Sequence, residues 1–297
     1  MKKSVRFRAV DIFLVVMTVL PLLSGIVLKV LTEPAESGIS ITGALIYFTL
    51  PMYKWDLPIT EAQVNSWLVV LTIFWLCLYL THGMSADKPT KRQHLAEFVV
   101  EKTEGLVRNN MGEFFMGFAP LICAILGLSA FSSLTSLLGL FPPTSDMNVI
   151  AGWAFLVFIL ITYYKMKCGP LHYLKSFTEP VKFLTPLNII SEFATPVSMA
   201  FRHYGNVLSG SVIAALIAAA LQGLSSALLK WLPGKLGEIP LLQIGLPAIL
   251  SVYFDVFSGC LQAFIFAMLT MLYVSGAFAL EDYMARQQKK KAKKSTI

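Results

Sequence analysis

Six long apolar runs, at about 10–31, 66–82, 114–141, 149–165, 183–229 and 241–280, constrain this chain more than any other feature. A helix needs about 20 consecutive apolar residues to cross the hydrocarbon core of a bilayer, and several of the runs reach that length. The composition agrees: 56% of residues are hydrophobic and only 14% charged, where a soluble domain carries about a quarter. The runs predict an all-α polytopic membrane protein with about six membrane segments. No connection among the 297 residues is long enough for a separate soluble unit, so residues 1–297 read as a single membrane domain.

Charge placement sets the orientation. Lys2, Lys3, Arg6 and Arg8 precede the first run; Lys88, Lys91, Arg92, Lys102 and Arg108 lie between the second and third. Lys165, Lys167, Lys175 and Lys182 follow the fourth, and Arg286, Lys289, Lys290, Lys291, Lys293 and Lys294 sit in the basic tail 283–297. The alternate connections hold only Lys54, Lys230 and Lys235 among several acids. By the positive-inside rule both termini are cytoplasmic. The net charge of +7 therefore reads as a topology anchor, and no nucleic-acid partner is expected. Residues 1–31 have the basic start and apolar core of a secretory signal, but the run is long for one and carries Lys29 near its end, which favours an extra N-terminal membrane helix. Cys77, Cys123, Cys168 and Cys260 are scattered and read as reduced and inert. There is no Walker loop, HExxH or nucleophile elbow, so the chain is not expected to be an enzyme by itself, nor to hold a cofactor or metal.

Residues 32–65 form an outer loop with a short apolar piece around Ile41–Leu50, placed at the membrane surface. Between about 83 and 113, Leu95, Phe98, Val99, Leu106 and Val107 approximate one helical stripe; an interfacial amphipathic helix and a solvated connector fit that pattern about equally. Asp146, after Pro142-Pro143, suits an N-cap or an outer vestibule. The last two runs are too long for straight crossings: 241–280 would reach about 60 Å as one helix, against a core of about 30 Å. Re-entrant pairs or two long tilted arms both satisfy that length, and polar residues scattered through both runs favour arms that share a wet, protein-lined face.

Arg202 stands alone as a permanent cation within 183–229. A guanidinium does not shed its proton to escape burial, and placing it in a bilayer costs from about 3 to above 10 kcal/mol. Asn206, four residues on, shares its helix face. On the next arm Asp255 and Gln262 are seven apart, two turns along one face of a regular helix. An acid inside an apolar arm is a functional candidate, with Arg202 or a chain of waters as partner; a buried structural Asp255–Arg202 pair is the plainer reading. Gly205 and Gly210 suit close helix packing.

Several segments together, Pro142-Pro143-Thr-Ser-Asp146-Met-Asn148-Val149, Pro186-Leu-Asn-Ile-Ile-Ser-Glu192, Pro196-Val-Ser-Met-Ala-Phe-Arg202-His-Tyr-Gly205-Asn206 and Leu261-Gln262-Ala-Phe-Ile-Phe266, resemble subunit a of the F-type rotary ATP synthase. The resemblance runs over about 66–282. It implies a stator subunit whose last two segments are long tilted hairpin helices facing a rotor ring of c subunits, with a b-subunit peripheral stalk and the rest of the complex as partners, in a bacterial plasma membrane among lipid. It implies that Arg202 faces the ring carboxylates, that Gln262 hydrogen-bonds it, and that Asn206 lines the same region between two offset half-channels for H+ or Na+. A fixed cation favours the ionised form of an arriving acid and blocks a direct leak; each charge crossing 100 mV carries about 2.3 kcal/mol.

Two positions depart from the pattern. Many relatives have a carboxylate where this chain has Ser211, and Asp255 falls where relatives vary. From this, Asp255 is expected to supply the acid of the outer half-channel and Ser211 a water-organising hydroxyl. Glu192 either lines the cytoplasmic half-channel or pairs with a lysine such as Lys182. His203, one step from Arg202, is turned about 100° away and reads as a packing residue before a proton relay. The alternatives to the stator reading are a secondary transporter or proton channel of another class, for which no internal repeat is visible, and a membrane scaffold, which leaves Arg202 without a purpose.

Overall fold

The computed structural model describes residues 2–32, 43–52, 56–86, 89–170, 173–174, 177–178, 182–229, 245, 249–250, 252–280 and 283–284. Among these, six helices are long and apolar enough to cross a membrane. Helix α1 spans Lys2–Thr32, α2 Glu61–Thr81, α3 Lys91–Met111, α4 Ala119–Thr135, α5 Met147–Cys168, α6 Thr185–Leu229 and α7 Gly259–Gly276. Tight 3-10 turns, Glu113–Phe118 and Ser136–Leu138, extend α4 at both ends, and a π-helical stretch Val252–Ser258 leads into α7. The ends of the bundle are named here by charge: the basic end carries Arg92, Lys165 and Lys167, and the far end lies opposite.

Of the outer loop's apolar piece, residues 43–50 are described: Ile46–Leu50 pairs antiparallel with Leu57–Thr60, in register Leu50 with Leu57 and a bulge between Ile46 and Phe48, and Ile46, Phe48 and Leu50 stay exposed. The hairpin runs straight into α2, whose N-cap Thr60 accepts a hydrogen bond from the Gln63 N–H. At this far end Glu61 and Asn65, both buried, fasten the loop after α4: the Phe141 N–H donates to Glu61 Oε1 and the Asn65 amide donates to the Phe141 carbonyl at 2.9 Å. Lys29, on α1, donates to the Gly139 carbonyl. At the basic end of α1, Asp11 meets the Arg92 guanidinium at 2.8 Å, and that guanidinium also lies over the Tyr79 ring. Hydrogen bonding to Asp11 raises the Arg92 pKa above its ordinary value, so this tie between α1, α2 and α3 stays charged. Helix α1 packs chiefly on α2 and leaves Phe13, Leu20, Leu23 and Val27 exposed, as lipid contact requires.

Of the two readings of 83–113, the helix is the one that forms, as α3, and its stripe divides. Val107 and Met111 are buried in the core and Leu106 packs against it, whereas Leu95, Phe98 and Val99 face outward. The core joins α3, α4, α5 and α7 through Ile122, Ile125, Val157, Phe266, Met271 and Val274. Phe115, Phe118, Tyr164 and Phe278 close it at the basic end with edge-on and tilted ring contacts. Asp146 caps α5, accepting from the Asn148 N–H at 2.9 Å.

Of the two long arms, the first is continuous over 45 residues, about 65 Å at 1.5 Å per residue, which rules out a re-entrant pair there. Pro196 lies inside it and removes the N–H that would bond the Glu192 carbonyl. The second arm is described as a helix only from Val252 to Gly276; most of 241–251 lies outside the described residues.

Candidate ion pathway

Helix α6 crosses the bundle with one side packed and one side bare. Leu187, Ile190, Phe193, Val197, Phe201 and Leu216 are all more than half exposed, and Arg202 lies on this open side. Among the described residues Arg202 has no ion pair and no hydrogen bond. The Asp255–Arg202 pair weighed from sequence is therefore absent from the described contacts, and so is a Gln262–Arg202 bond. Gly205, next to Arg202, is also open: a Cβ there would meet nothing within 4 Å. Within this chain the close packing expected of the glycines is met at Gly210, whose Cβ would fall 3.2 Å from the Phe254 ring.

One residue further along, the helix turns inward. His203 is fully buried, edge-on to Trp153 and Phe266, with Nε2 3.5 Å from the Ser129 hydroxyl and Nδ1 without a partner among the described residues. A packing histidine fits these surroundings. Asn206 donates its amide to the Ser258 hydroxyl at 3.1 Å and to Gln262 Oε1 at 3.3 Å, so the two polar residues that sequence placed on separate arms do meet. Gln262 is buried. Beside them Gly259 seats α7 on α4 so closely that a Cβ would lie 2.5 Å from Ser133 Cβ and Oγ.

Asp255 and Gln262 do not share a face in the way a regular helix predicts. The π-helical turn Val252–Ser258 inserts extra backbone between them and re-aims Asp255 toward the far end of α4, beside the Ser136 side chain. Asp255 is half-buried there. Ser211 is exposed and turns its hydroxyl back onto its own helix, donating to the Leu208 carbonyl at 2.8 Å. No described contact joins it to Asp255.

At the basic end Glu192 is partnered by a lysine, Lys165; the side chain of Lys182, the lysine named from sequence, lies outside the described residues. Glu192 Oε2 takes the Lys165 ammonium at 2.5 Å, and Oε1 is buried without a partner among the described residues. Two adjoining cavities of about 220 and 400 Å³ open around this pair, sharing Lys165, Glu192, Gly276 and Ala277. Thr195 lines the smaller; Tyr173, Asn188 and Ser191 line the larger. Burial, and then the nearby Glu192 carboxylate, push the Tyr173 hydroxyl above its ordinary value, so it stays protonated at neutral pH. Lys165, Tyr173, Ser136 and Ser258 were not singled out from the sequence. Lys165 had a signal, since it closes α5 at the same basic end where Glu192 opens α6; the serines had none. Among the described residues no three His, Cys, Asp or Glu side chains converge to hold a metal.

Three polar features thus line up along the bundle: a half-buried acid near the far end, a polar pocket at the basic end, and between them, on an open face, a cation unpaired among the described residues. Residues 63–275 match the family described as ATP synthase A chain. The chain is 33% identical over 237 residues to the ATP synthase subunit a of Anoxybacillus flavithermus, covering 76% of this chain and 95% of that one. It is 34% identical over 232 residues to that of Priestia megaterium, covering 74% and 93%. With the ATP synthase subunit a 1 of Crocosphaera subtropica it shares 26% identity over 245 residues, or 80% and 94%. With the match spanning α2 through nearly all of α7, this chain belongs to the ATP synthase A chain family.

Proposed function

We propose that this chain is the ion-conducting stator subunit of the membrane sector of a rotary ATP synthase, with Arg202 as the fixed cation that meets the carboxylates of a rotating c ring. The observation that carries the reading is the position of Arg202: exposed, unpaired among the described residues, and near the middle of a bare apolar helix face. A guanidinium turned toward lipid alone would be costly, whereas one turned toward a partner's carboxylate is compensated. Gly205 leaves the backbone beside it open, so a small-residue rotor helix can approach closely.

In this reading the basic end is cytoplasmic and both termini lie there. Ions enter from the far side near Asp255, which accepts a proton with Ser136 beside it, and Ser211 contributes a hydroxyl toward the same water. An ion passes to a ring carboxylate on the open face of α6. When rotation brings that carboxylate to Arg202, the cation favours its ionised form and the proton leaves toward the Glu192 pocket. Because the guanidinium stays charged, no proton crosses directly between the two half-channels. The Asn206–Gln262–Ser258 group fixes the helix pair behind Arg202. The chain has no catalytic role of its own; ATP chemistry belongs to partner subunits, and a b-type stalk holds the stator against the ring.

ATP-driven ion pumping in inverted vesicles carrying the whole complex tests this. Arg202→Ala is expected to abolish pumping while the subunits still co-purify. Pumping retained in an assembled Arg202→Ala complex would refute the role.

A further inference from the structure

The pocket around Glu192 is of a kind that normally attracts metal cations. It is roomy and partly polar, with a carboxylate and the Thr195 and Tyr173 hydroxyls around it, and hard cations seek such oxygens. A water takes up about 30 Å³ in the liquid, so each cavity has room for several. Here a tethered cation already holds the position beside the carboxylate. The Lys165 ammonium is 2.5 Å from Glu192 Oε2 and 5.8 Å from the centre of the Tyr173 ring. It binds only one carboxylate oxygen; the other, Oε1, is buried on the side of the Tyr173 hydroxyl, so the ammonium holds the face of the carboxylate that borders the cavity. The lysine side chain is 28% exposed, so the pair borders the cavity and is not sealed in the core.

We infer that Lys165 is a specificity-determining residue of the cytoplasmic vestibule: its ammonium occupies the cation site at Glu192, so that metal cations are turned away from the cavity while protons still exchange along its water. This rests on the reading of the pocket as the ion's cytoplasmic route. A purely structural tie between α5 and α6 would hold the same two helices together, but it would not set the charge preference of the cavity.

Charge-selective thiol chemistry separates the two. With Thr195→Cys as reporter in the whole complex in inverted vesicles, the rates of modification at position 195 by a cationic and an anionic methanethiosulfonate are measured by peptide mass spectrometry. Lys165→Met is expected to raise the cationic-to-anionic rate ratio about fivefold, the effect of removing one nearby charge at intermediate dielectric. Lys165→Arg should leave the ratio within twofold, and Glu192→Gln should lower it by a similar factor. The Lys165→Met/Glu192→Gln double variant should restore it. If Lys165→Met fails to assemble, Glu192→Gln alone decides the sign. Ratios unchanged in both single variants would make the pair a structural tie and overturn the inference. ATP-driven pumping is read in parallel: modification at 195 should block it. Blocked pumping with an unmoved ratio would sink the selector alone, whereas pumping untouched by complete modification would remove the pocket from the ion route, and the selector with it.

Discussion

Helix α6 carries two polar clusters about three turns apart, and they are built in opposite ways. Around Glu192 the groups are charged and the packing is loose: an ion pair borders two cavities, and one carboxylate oxygen is left unbonded among the described residues. Around His203 and Asn206 the groups, as bonded, need carry no charge and the packing is tight, with an imidazole between Trp153 and Phe266 and a serine pressed onto a glycine backbone. Desolvating charges is expensive, so a charged pair in a membrane domain is cheapest where water reaches it. Uncharged amides and hydroxyls satisfy one another and can be packed dry. Polar residues in the same helix thus divide into those that border open cavities, where the proposed path runs, and those that hold helices together. Arg202 sits between the clusters and belongs to neither, because it faces outward.

The sharpest way to break this division is to add a methyl group to each cluster. Gly259→Ala in the tight one places a Cβ 2.5 Å from Ser133, so α4 and α7 must separate or Ser133 must move. Overpacking of this kind costs about 1–3 kcal/mol, and the assembled complex is expected to lose several degrees of thermal stability in detergent. Ser133→Gly in the same chain should recover most of that loss. Gly276→Ala borders both cavities of the loose cluster, where a Cβ would meet nothing within 4 Å, and should change stability little. Equal losses from the two alanines would show that both clusters are packed alike.

A smaller effect is expected at Asn206. Its amide serves Ser258 and Gln262 together, so Asn206→Leu leaves the Gln262 carbonyl buried without this donor. An unsatisfied buried polar group costs about 1–3 kcal/mol. The loss should appear both in thermal stability and in pumping, since the pair backs the helix face that presents Arg202. A variant with full stability and full pumping would mean that the amide contacts do not hold the arms.

The helical, membrane-spanning class was legible because hydrophobic run length is a one-dimensional property, and the six runs correspond to six helices, among the described residues, long and apolar enough to cross a membrane. Arg202, Asn206 and Gln262 were legible because a polar side chain in an apolar run is conspicuous wherever it points. What sequence hid was rotation. Seven residues between Asp255 and Gln262 predict one shared face only if the backbone stays α-helical, and the π-helical turn at Val252–Ser258 breaks that condition. Likewise Gly205 and Gly210 look equivalent in sequence, but one faces open space and the other a phenylalanine ring. That Glu192 pairs with a lysine was one of two readings, and which lysine it takes was hidden for a different reason. Several lysines cluster at the basic end, and which of them reaches α6 depends on how α5 and α6 pack, a property no spacing within either helix encodes.

The smallest expected effect is that of His203→Leu, and it bears most directly on the proposed division between path and packing. The imidazole is fully buried, its Nδ1 is without a partner among the described residues, and its one polar contact is a long 3.5 Å approach to Ser129. A group so weakly bonded gives the fold little beyond its volume. Leucine has a similar volume, removes the unsatisfied nitrogen, and leaves Ser129 free to donate to a carbonyl one turn back on α4. The lost polar contact and the removed desolvation penalty nearly cancel, so His203→Leu is expected to shift stability by less than about 1 kcal/mol. ATP-driven pumping should stay within twofold of the parent. His203→Ala, by contrast, opens a cavity beside Trp153 and Phe266 and should cost about 2–4 kcal/mol, as large-to-small changes in a packed core do. That ordering, leucine mild and alanine severe, is the signature of a residue kept for its bulk. The reverse finding, a well-assembled and stable His203→Leu complex that no longer pumps, would make the imidazole a proton carrier and extend the ion path into the tight cluster.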